Sequence, residues 1–242
     1  MKYPKPKFSL VIPCFNESKN LPTLIERCNQ NHLKNIEIIL VNNGSTDDSD
    51  KVLDSLLIGI PHIKKVKVEK NQGYGYGIIA GLREAKNEII GWTHADLQTE
   101  PSDIVKAIPL FEDTQCDKIF VKGLRKGRPL SDIFFTLGMS IFESIYLRYF
   151  FWDINAQPTL FHRDFFKEFK EPPLDFSLDL YAYFLAKKNK LKIKRFPVFF
   201  SDRLYGVSHW NIDFKSKLKL IFRTVKFSSK LRKILSNDIH ST

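Results

Sequence analysis

The sequence contains little cysteine: three residues in 242, Cys14, Cys28 and Cys116, at irregular spacing. An odd number without a regular pattern predicts neither a disulfide framework nor a zinc site, and it fits a reducing, cytoplasmic setting. The basic N-terminus runs directly into a strand-like segment and lacks the long apolar region and cleavage site of a signal peptide. We therefore expect an intracellular protein.

Long apolar runs are also missing. The most apolar stretch, Ile133–Trp152, is interrupted by Glu143 and Arg148. Its longest charge-free run, Ile133–Phe142, falls far below the roughly 18 residues that a membrane-spanning helix needs. The stretch predicts an amphipathic helix that lies on the sheet or on a membrane surface, with packing in the core as the alternative.

Acidic residues are absent from Phe214 to Asn237, where eight basic residues account for most of the net charge of +11. Between them, apolar residues recur at helical spacing at Phe214, Leu218, Ile221 and Val225. This predicts a globular domain, residues 1–212, followed by a basic amphipathic tail, residues 213–242. Such a helix binds an anionic membrane surface without spanning it. Nucleic acid is the alternative target, but no nucleic-acid-binding motif accompanies the tail, so we expect none.

Four apolar runs alternate with helix-like stretches in the first part of the chain. They are residues 8–12, 36–41, 63–68 and 89–92, and each precedes a polar or glycine-rich loop. This alternation predicts an α/β fold with a mostly parallel central sheet and helices on both faces. Ligands bind such sheets beyond the carboxyl ends of the strands. The loop residues expected to share that cleft are Asn16, Glu17, Asn42, Asn43, Asp47, Gly73, Asp96 and Gln98.

Two of these loops carry a chemical signal. Asp96 and Gln98 stand two residues apart just past the fourth strand, where their oxygen atoms can reach a hard cation such as Mg²⁺ together. An Asx turn is the alternative for this pair. Gly73, Gly75 and Gly77 either let the backbone approach a ligand or form a turn with unusual backbone angles. Their spacing is not the dinucleotide-binding fingerprint.

Four segments follow one another in a set order: Ile12–Leu21, Val41–Ser49, Asn71–Gly75 and Ala95–Pro101. In that order they resemble the motifs of the family 2 inverting glycosyltransferases. The most similar branch contains the dolichol-phosphate mannose synthases and the bacterial polyprenyl-phosphate glycosyltransferases. The resemblance runs from about residue 8 to residue 210 and implies a GT-A type fold that takes a nucleotide-diphospho-sugar.

The resemblance also implies roles for the loop residues. Asp96 and Gln98 would hold the Mg²⁺ or Mn²⁺ that bridges the diphosphate and stabilises the charge of the leaving group. Asp96 would act in catalysis as well. The residues that would bind the nucleotide sugar are Pro13, Asn16, Glu17, Asn43, Gly73 and Asp96.

Two positions depart from the family pattern. Asn42-Asn43 replaces a common pair of aspartates, which keeps the shape but removes negative charge and leaves the identity of the base open. His94 stands where the synthases usually carry the first Asp of an Asp-x-Asp pair. A neutral imidazole suits Mg²⁺ poorly, so we assign the metal to Asp96 and Gln98 and treat His94 as a cleft residue.

The basic segment Lys122–Ser131 corresponds to the part of the synthases that holds the phosphate of the acceptor. We expect it to follow a strand, Lys118–Val121, and to bring Lys122, Arg125, Lys126 and Arg128 to the binding edge. The predicted ligands of the acceptor phosphate are Arg125, Arg128 and Ser131. A solvated basic loop is the alternative.

Asp179 and Arg203 are the other candidates for catalysis. Asp179 stands near the place where relatives with a hydroxyl acceptor carry a general base. A phosphate acceptor needs no strong base, so Asp179 would then orient groups or complement the helix dipole. Arg203 lies in an Arg-x-x-Gly-x-Ser pattern, with Ser208 and His209 nearby, and would stabilise the leaving group.

These expectations describe a metal-dependent inverting glycosyltransferase. It would move a sugar from a nucleotide-diphospho-sugar to a polyprenyl phosphate, and it would lie peripherally on the cytosolic face of a membrane. Transfer to a saccharide hydroxyl in surface polysaccharide synthesis stays open and would make Asp179 indispensable. A non-catalytic nucleotide-binding module stays open as well, because of Asn42, Asn43 and His94.

Overall fold

The structure is a computed structural model, and it describes residues 6–112, 115–201 and 214–239. Within these ranges the chain forms seven strands and seven α-helices. In chain order they are β1 (Phe8–Cys14), α1 (Leu21–Cys28), β2 (Glu37–Asn43), α2 (Ser49–Leu56), β3 (Ile63–Val68), α3 (Tyr74–Glu84), β4 (Ile89–Trp92), α4 (Asp103–Glu112), β5 (Ile119–Lys126), α5 (Leu130–Leu147), β6 (Thr159–His162), α6 (Leu178–Lys188), β7 (Lys192–Phe199) and α7 (Phe214–Ile239). Short 3-10 helices lie at Asn31–Leu33, Cys116–Lys118 and Arg163–Glu168.

The strands form one sheet in the order β3-β2-β1-β4-β6-β5-β7. Neighbouring strands are parallel except β6, which runs antiparallel to both β4 and β5. The predicted mostly parallel sheet is therefore confirmed. Strand β6 was not predicted, because its four residues include Thr159 and His162 and so lack the continuous apolar run that marks the equally short β4. Strand β7 contains Pro197 and lies at the sheet edge, where a proline is tolerated.

Side chains at alternate strand positions pack on opposite faces of the sheet. In β1, Leu10 and Ile12 belong to a core shared with α1, α2 and α4. Val11 belongs to a second core, shared with α3, α5, α6 and α7. Helices therefore cover both faces, as predicted. Burial on two faces also explains why these strands are continuous apolar runs in the sequence.

The carboxyl ends of β1 to β5 and β7 meet the amino end of β6 at one side of the sheet, which we call the binding edge. It comprises the loops at residues 15–20, 44–48, 69–73, 93–102 and 148–158, and the ends of β5 and β7. Every loop that the sequence singled out for ligand binding and that the structure describes opens onto this edge. The edge arises from topology alone, because parallel strands end on the same side.

Strand β5 is longer than the sequence predicts. It continues to Lys126, because residues as far as Lys126 pair with β7. Lys122 therefore lies inside the sheet, fully buried, and does not join Arg125 at the end of the strand. The prediction that Lys122 lies in a basic loop was wrong. Charged residues are rare in the interior of a strand, so the sequence pattern favoured a loop.

Helix α7 packs against α5. The Ser228 hydroxyl donates to the Glu143 carboxylate at 2.7 Å, and the hydroxyls of Tyr146 and Ser229 lie 3.2 Å apart. Leu231 is buried in the second core, so the helix is attached to the sheet domain at this point. Of the helices in the described ranges, none combines the length and the hydropathy required to cross a bilayer.

Candidate active site

The loops after β1 and β2 are joined by hydrogen bonds between small polar side chains and the backbone. The Asn16 side chain accepts from the Thr46 N–H at 2.8 Å, and the Asn16 N–H donates to the Ser45 hydroxyl at 3.1 Å. Asn16 has a φ of +55°, a left-handed conformation that asparagine adopts more readily than most residues. The Glu17 N–H donates to the Ser49 hydroxyl at 3.0 Å. These hydrogen bonds fix the backbone of the loops after β1 and β2.

Asn43 connects these two loops to the loop after β3. Its side chain is buried, and its Nδ2 donates to the carbonyl oxygen of Gly73 at 2.9 Å. Pro13 pairs in register with Val41 one strand away and is half-buried. The structure therefore brings the predicted nucleotide-sugar residues Pro13, Asn16, Glu17, Asn43 and Gly73 together around the ends of β1, β2 and β3.

The glycine motif has a packing role. Gly73 has a φ of +116°, and a Cβ there would meet the carbonyl oxygen of Leu174 at 2.2 Å. A Cβ on Gly75 would meet the carbonyl oxygen of Pro173 at 2.5 Å, and one on Gly77 would meet the Asn43 side chain at 2.9 Å. Gly73 and Gly75 thus let the start of α3 pack against the segment before α6, and Gly77 lets it pack against Asn43 at the end of β2. The spacing therefore serves contact within the protein.

Asp96 and Gln98 lie in the loop after β4. Asp96 is 9% exposed, and its Oδ1 accepts the Gln98 N–H at 3.2 Å, so the Asx turn considered from the sequence is present. The Gln98 Nε2 donates to the carbonyl oxygen of Ser201 at 3.2 Å, which directs the amide oxygen away from that carbonyl. A carboxylate and an amide oxygen are hard donors, and they fit a divalent cation that takes further ligands from substrate phosphates.

Three aromatic rings stack beside this loop. The His94 ring lies on Tyr74 with centroids 5.4 Å apart, and Tyr74 lies on Phe176 at 4.5 Å. The Tyr74 hydroxyl is buried, and burial together with the carboxylates of Asp179 and Asp96 raises its pKa well above the usual value. Sequence reasoning missed Tyr74. Its position inside the glycine motif was the only available signal.

Asp153 organises the basic residues on the other side of the binding edge. It is buried, and it accepts hydrogen bonds from the Arg125 Nε at 2.9 Å and the Arg125 N–H at 3.1 Å. The Arg128 NH2 lies 3.8 Å from the same carboxylate. Burial alone would raise the pKa of Asp153, but the charge and hydrogen bonds of Arg125 outweigh it and lower the pKa. One carboxylate thus serves two guanidinium groups, and the net positive charge suits a phosphate.

Ser131, the third predicted acceptor residue, lies in the first turn of α5, next to these arginines in the chain. Its side chain is outside the described residues. Arg203, Ser208 and His209 also lie outside them. The residue before their segment, Ser201, donates its N–H to the carbonyl oxygen of Gln98 at 2.9 Å.

Asp179 is enclosed by a buried polar network. It is 1% exposed, and its Oδ1 accepts hydrogen bonds from the Trp92 Nε1 at 3.2 Å and from the Gln157 Nε2. The Lys122 ammonium lies 3.8 Å from the same oxygen and donates to Thr159 at 2.7 Å. Burial lowers the pKa of Lys122 to about 8, although the charge of Asp179 opposes that shift. These contacts favour the orienting role for Asp179 over that of a general base.

The comparisons with known proteins bear on the family and the fold. The model of Glycosyl transferase family 2 matches residues 9–193. An undecaprenyl-phosphate 4-deoxy-4-formamido-L-arabinose transferase of Proteus mirabilis is 35% identical over 112 residues, which cover 44% of this chain and 34% of that protein. The match thus spans about a third of the length of that relative. An uncharacterized protein of Methanocaldococcus jannaschii is 28% identical over 66% of this chain and 73% of its own.

Solved structures of GT-A glycosyltransferases share the fold. Glucosyl-3-phosphoglycerate synthase from Mycobacterium tuberculosis, in complex with Mn²⁺, UDP and glucosyl-3-phosphoglycerate, superposes with a TM-score of 0.67 at 14% identity, covering 94% of this chain and 80% of that one. The mannosyltransferase PcManGT from Pyrobaculum calidifontis, in complex with GDP-Man and Mn²⁺, gives 0.63 at 15% identity, covering 85% and 59%.

Proposed function

The chain belongs to Glycosyl transferase family 2, and we propose that it transfers a sugar from a nucleotide-diphospho-sugar to a polyprenyl phosphate. The donor class is supported by the GT-A neighbours, whose complexes contain UDP or GDP-Man with Mn²⁺. The acceptor class is supported by the undecaprenyl-phosphate transferases among the relatives. The sugar and the base are left to experiment.

The observation that carries the proposal is the division of the binding edge. The Asp96 loop follows β4. Arg125 lies near the end of β5 and Arg128 just after it, and the short strand β6 separates β4 from β5. Oxygen atoms suited to a hard cation therefore lie in one part of the binding edge, and guanidinium groups lie in the other. A diphosphate held through a cation and a second phosphate held by arginine can meet across such a site.

The chemistry follows from these positions. Asp96 and Gln98 would hold Mg²⁺ or Mn²⁺, which supplies Lewis-acid stabilisation of the departing diphosphate. Arg125 and Arg128 orient the acceptor phosphate, and its oxygen attacks C1 of the sugar from the face opposite the leaving group, which inverts the configuration. Arg203 adds positive charge at the leaving diphosphate. A phosphate oxygen is already nucleophilic, so the enclosed Asp179 is not required as a base.

The peripheral membrane location is part of the proposal. Large apolar side chains on one face of α5 are exposed, with Phe134 at 68% and Ile145 at 74%. Basic residues of α7, among them Arg223 and Lys226, belong to the helix that packs on α5. An apolar face beside a basic helix suits an anionic bilayer surface. The double variant Phe134→Ser, Ile145→Ser should therefore reduce co-sedimentation with anionic vesicles. Unchanged co-sedimentation would count against this location.

The direct test starts with the purified protein and a panel of nucleotide-diphospho-sugars. Donors are ranked by thermal stabilisation with Mg²⁺ or Mn²⁺, and the best one is then offered undecaprenyl phosphate. We expect a glycolipid product, and none with the matched polyprenol that lacks the phosphate. Transfer to a saccharide hydroxyl instead would favour the polysaccharide alternative. Donor binding without any transfer would favour a non-catalytic module.

A further inference from the structure

Three side chains with metal-binding atoms meet at the edge of the sheet opposite the binding edge. Glu88 precedes β4, Cys116 begins the 3-10 helix before β5, and His162 ends β6. Among the described residues, their ligand atoms all lie within 4.8 Å of one another. The sheet itself brings them together: Ile89 pairs with His162 in register, and the carbonyl oxygen of Glu88 accepts the Arg163 N–H at 2.9 Å.

The separations match those around a tetrahedral ion. The Glu88 Oε1 lies 3.5 Å from the Cys116 Sγ and 3.6 Å from the His162 Nε2. Zinc bonds of about 2.3 Å to sulfur and about 2.0–2.1 Å to nitrogen or oxygen place tetrahedral ligand pairs about 3.3–3.6 Å apart. The two separations from Glu88 Oε1 therefore match those that a bound ion would impose, and the third pair lies within 4.8 Å.

The types of ligand select the metal. A thiolate and an imidazole favour Zn²⁺ over Mg²⁺ or Ca²⁺, which prefer oxygen ligands throughout. The thiolate of Cys116 and the carboxylate of Glu88 together carry two negative charges, which a divalent cation neutralises. This set therefore differs from Asp96 and Gln98, whose donors are oxygen atoms.

Asp164 supplies the support that a metal-binding histidine needs. Its Oδ2 lies 3.3 Å from the His162 Nδ1. The same Nδ1 also lies 3.3 Å from the Asp164 N–H, which donates to it in the tautomer protonated on Nε2. When Nε2 binds a metal, the ring proton resides on Nδ1, and the Asp164 carboxylate accepts a hydrogen bond from this Nδ1–H. A carboxylate in this position orients the ring and increases the basicity of the ligand atom.

We propose that Glu88, Cys116 and His162 bind one Zn²⁺ ion, with water in the fourth position and Asp164 holding the histidine. The ion connects the beginning of β4, the approach to β5 and the end of β6, so it stabilises the sheet on the side away from sugar transfer. The site does not rest on the proposed function, because none of its ligands lies at the binding edge.

The test uses the full chain, stripped of metal with a chelator and then titrated with Zn²⁺ alone. We expect one Zn²⁺ per chain to be retained after desalting, measured by elemental analysis, and the unfolding temperature to rise with Zn²⁺. Cys116→Ser and His162→Gln should lose both effects. His32→Gln, at an exposed histidine outside the cluster, is the matched control and should keep them.

Two further measurements separate ligation from a structural effect. Co²⁺ should give a thiolate charge-transfer absorption in the wild type that Cys116→Ser lacks. Asp164→Asn should weaken Zn²⁺ binding about 10- to 100-fold while leaving the ion bound at saturation. No retained Zn²⁺ in the wild type would overturn the proposal. Equal retention in folded Glu88→Gln, Cys116→Ser and His162→Gln would overturn it as well, and Glu88 is exposed enough to be replaced without unfolding the chain.

Discussion

The two halves of the molecule hold their polar residues in different ways. In the donor half, residues 6–112, the binding loops are joined by short polar side chains that accept backbone N–H groups, as Asn16, Ser49 and Asp47 do. In the acceptor half, residues 115–201 with α7, charged side chains are buried in contact with one another. Lys122 lies beside Asp179, and Arg125 and Arg128 lie beside Asp153.

Under the proposed function, the difference reflects the part of the substrates that each half would hold. The base and ribose of a nucleotide sugar are neutral groups that hydrogen bonds can match, so a loop with a fixed backbone is sufficient for them, and the charge of the diphosphate is left to the proposed cation. A phosphate carries concentrated negative charge, and positive side chains positioned before it arrives avoid reorganisation on binding. Buried charges are costly unless each one is paired. We therefore expect single substitutions to cost more stability in the acceptor half than in the donor half.

The largest expected effect falls on Asp96, the carboxylate that we propose as a metal ligand in the donor half. Asp96→Asn keeps the size of the side chain but removes the anionic oxygen, so metal-dependent transfer should fall by about 1,000-fold or more. His94→Ala, in the same loop, should only weaken transfer, because His94 stacks on Tyr74. Both are measured as kcat at saturating Mn²⁺. Comparable rates for Asp96→Asn and the wild type would refute the metal assignment.

The next effect tests the buried charges directly. Lys122→Met leaves Asp179 without its cation in the interior, so the free energy of unfolding should fall by about 3–5 kcal/mol in urea titrations. Adding Asp179→Leu should restore part of that loss, because the double variant buries no unpaired charge. Lys51→Met is the control: Lys51 pairs with Asp48 on the surface and should show no measurable change. An equal, small effect at Lys122 would remove the distinction between the halves.

The same division explains what the sequence could predict. The donor-half loops were predicted from local patterns, because Asn16, Gly73 and Asp96 each follow an apolar strand within a few residues. In the acceptor half, Lys122 was misplaced and Asp153 was given no role, because their partners are distant in the sequence. Thr159 stands 37 positions from Lys122, for example. Pairing of buried charges depends on strand order, and the order β4-β6-β5 has no local signature.

Glu143 should make the stability of the acceptor half depend on pH. Burial raises its pKa from 4.5 to about 7, while the hydrogen bond from Ser228 opposes the shift. At this site the folded state binds more protons than the unfolded state between these values, so the contribution of Glu143 to stability is greatest below pH 4.5 and declines as pH rises towards 7. The decline should be on the order of 3 kcal/mol between pH 4.5 and 7.

Glu143→Gln can still accept the Ser228 hydrogen bond, but it does not ionise. Urea titrations at pH 5 and pH 8 should therefore show a smaller difference in unfolding free energy for this variant than for the wild type. Glu84→Gln, at an exposed glutamate of α3, should leave the difference unchanged. Parallel pH profiles for wild type and Glu143→Gln would show that this buried carboxyl does not titrate in the window.

The smallest effect belongs to the donor half. Ser49 is fully buried, and Ser49→Ala removes the oxygen that accepts the Glu17 N–H, so unfolding should become easier by about 1 kcal/mol. The KM for the nucleotide sugar should rise while kcat stays near the wild-type value, because the loop loses one contact far from the reacting atoms. Ser55→Ala, at an exposed serine of the same helix, should change neither quantity. Ser49→Ala could instead cost as much stability as Lys122→Met. The donor half would then depend on its buried polar groups as strongly as the acceptor half does, and the two halves would differ only in the charge of those groups.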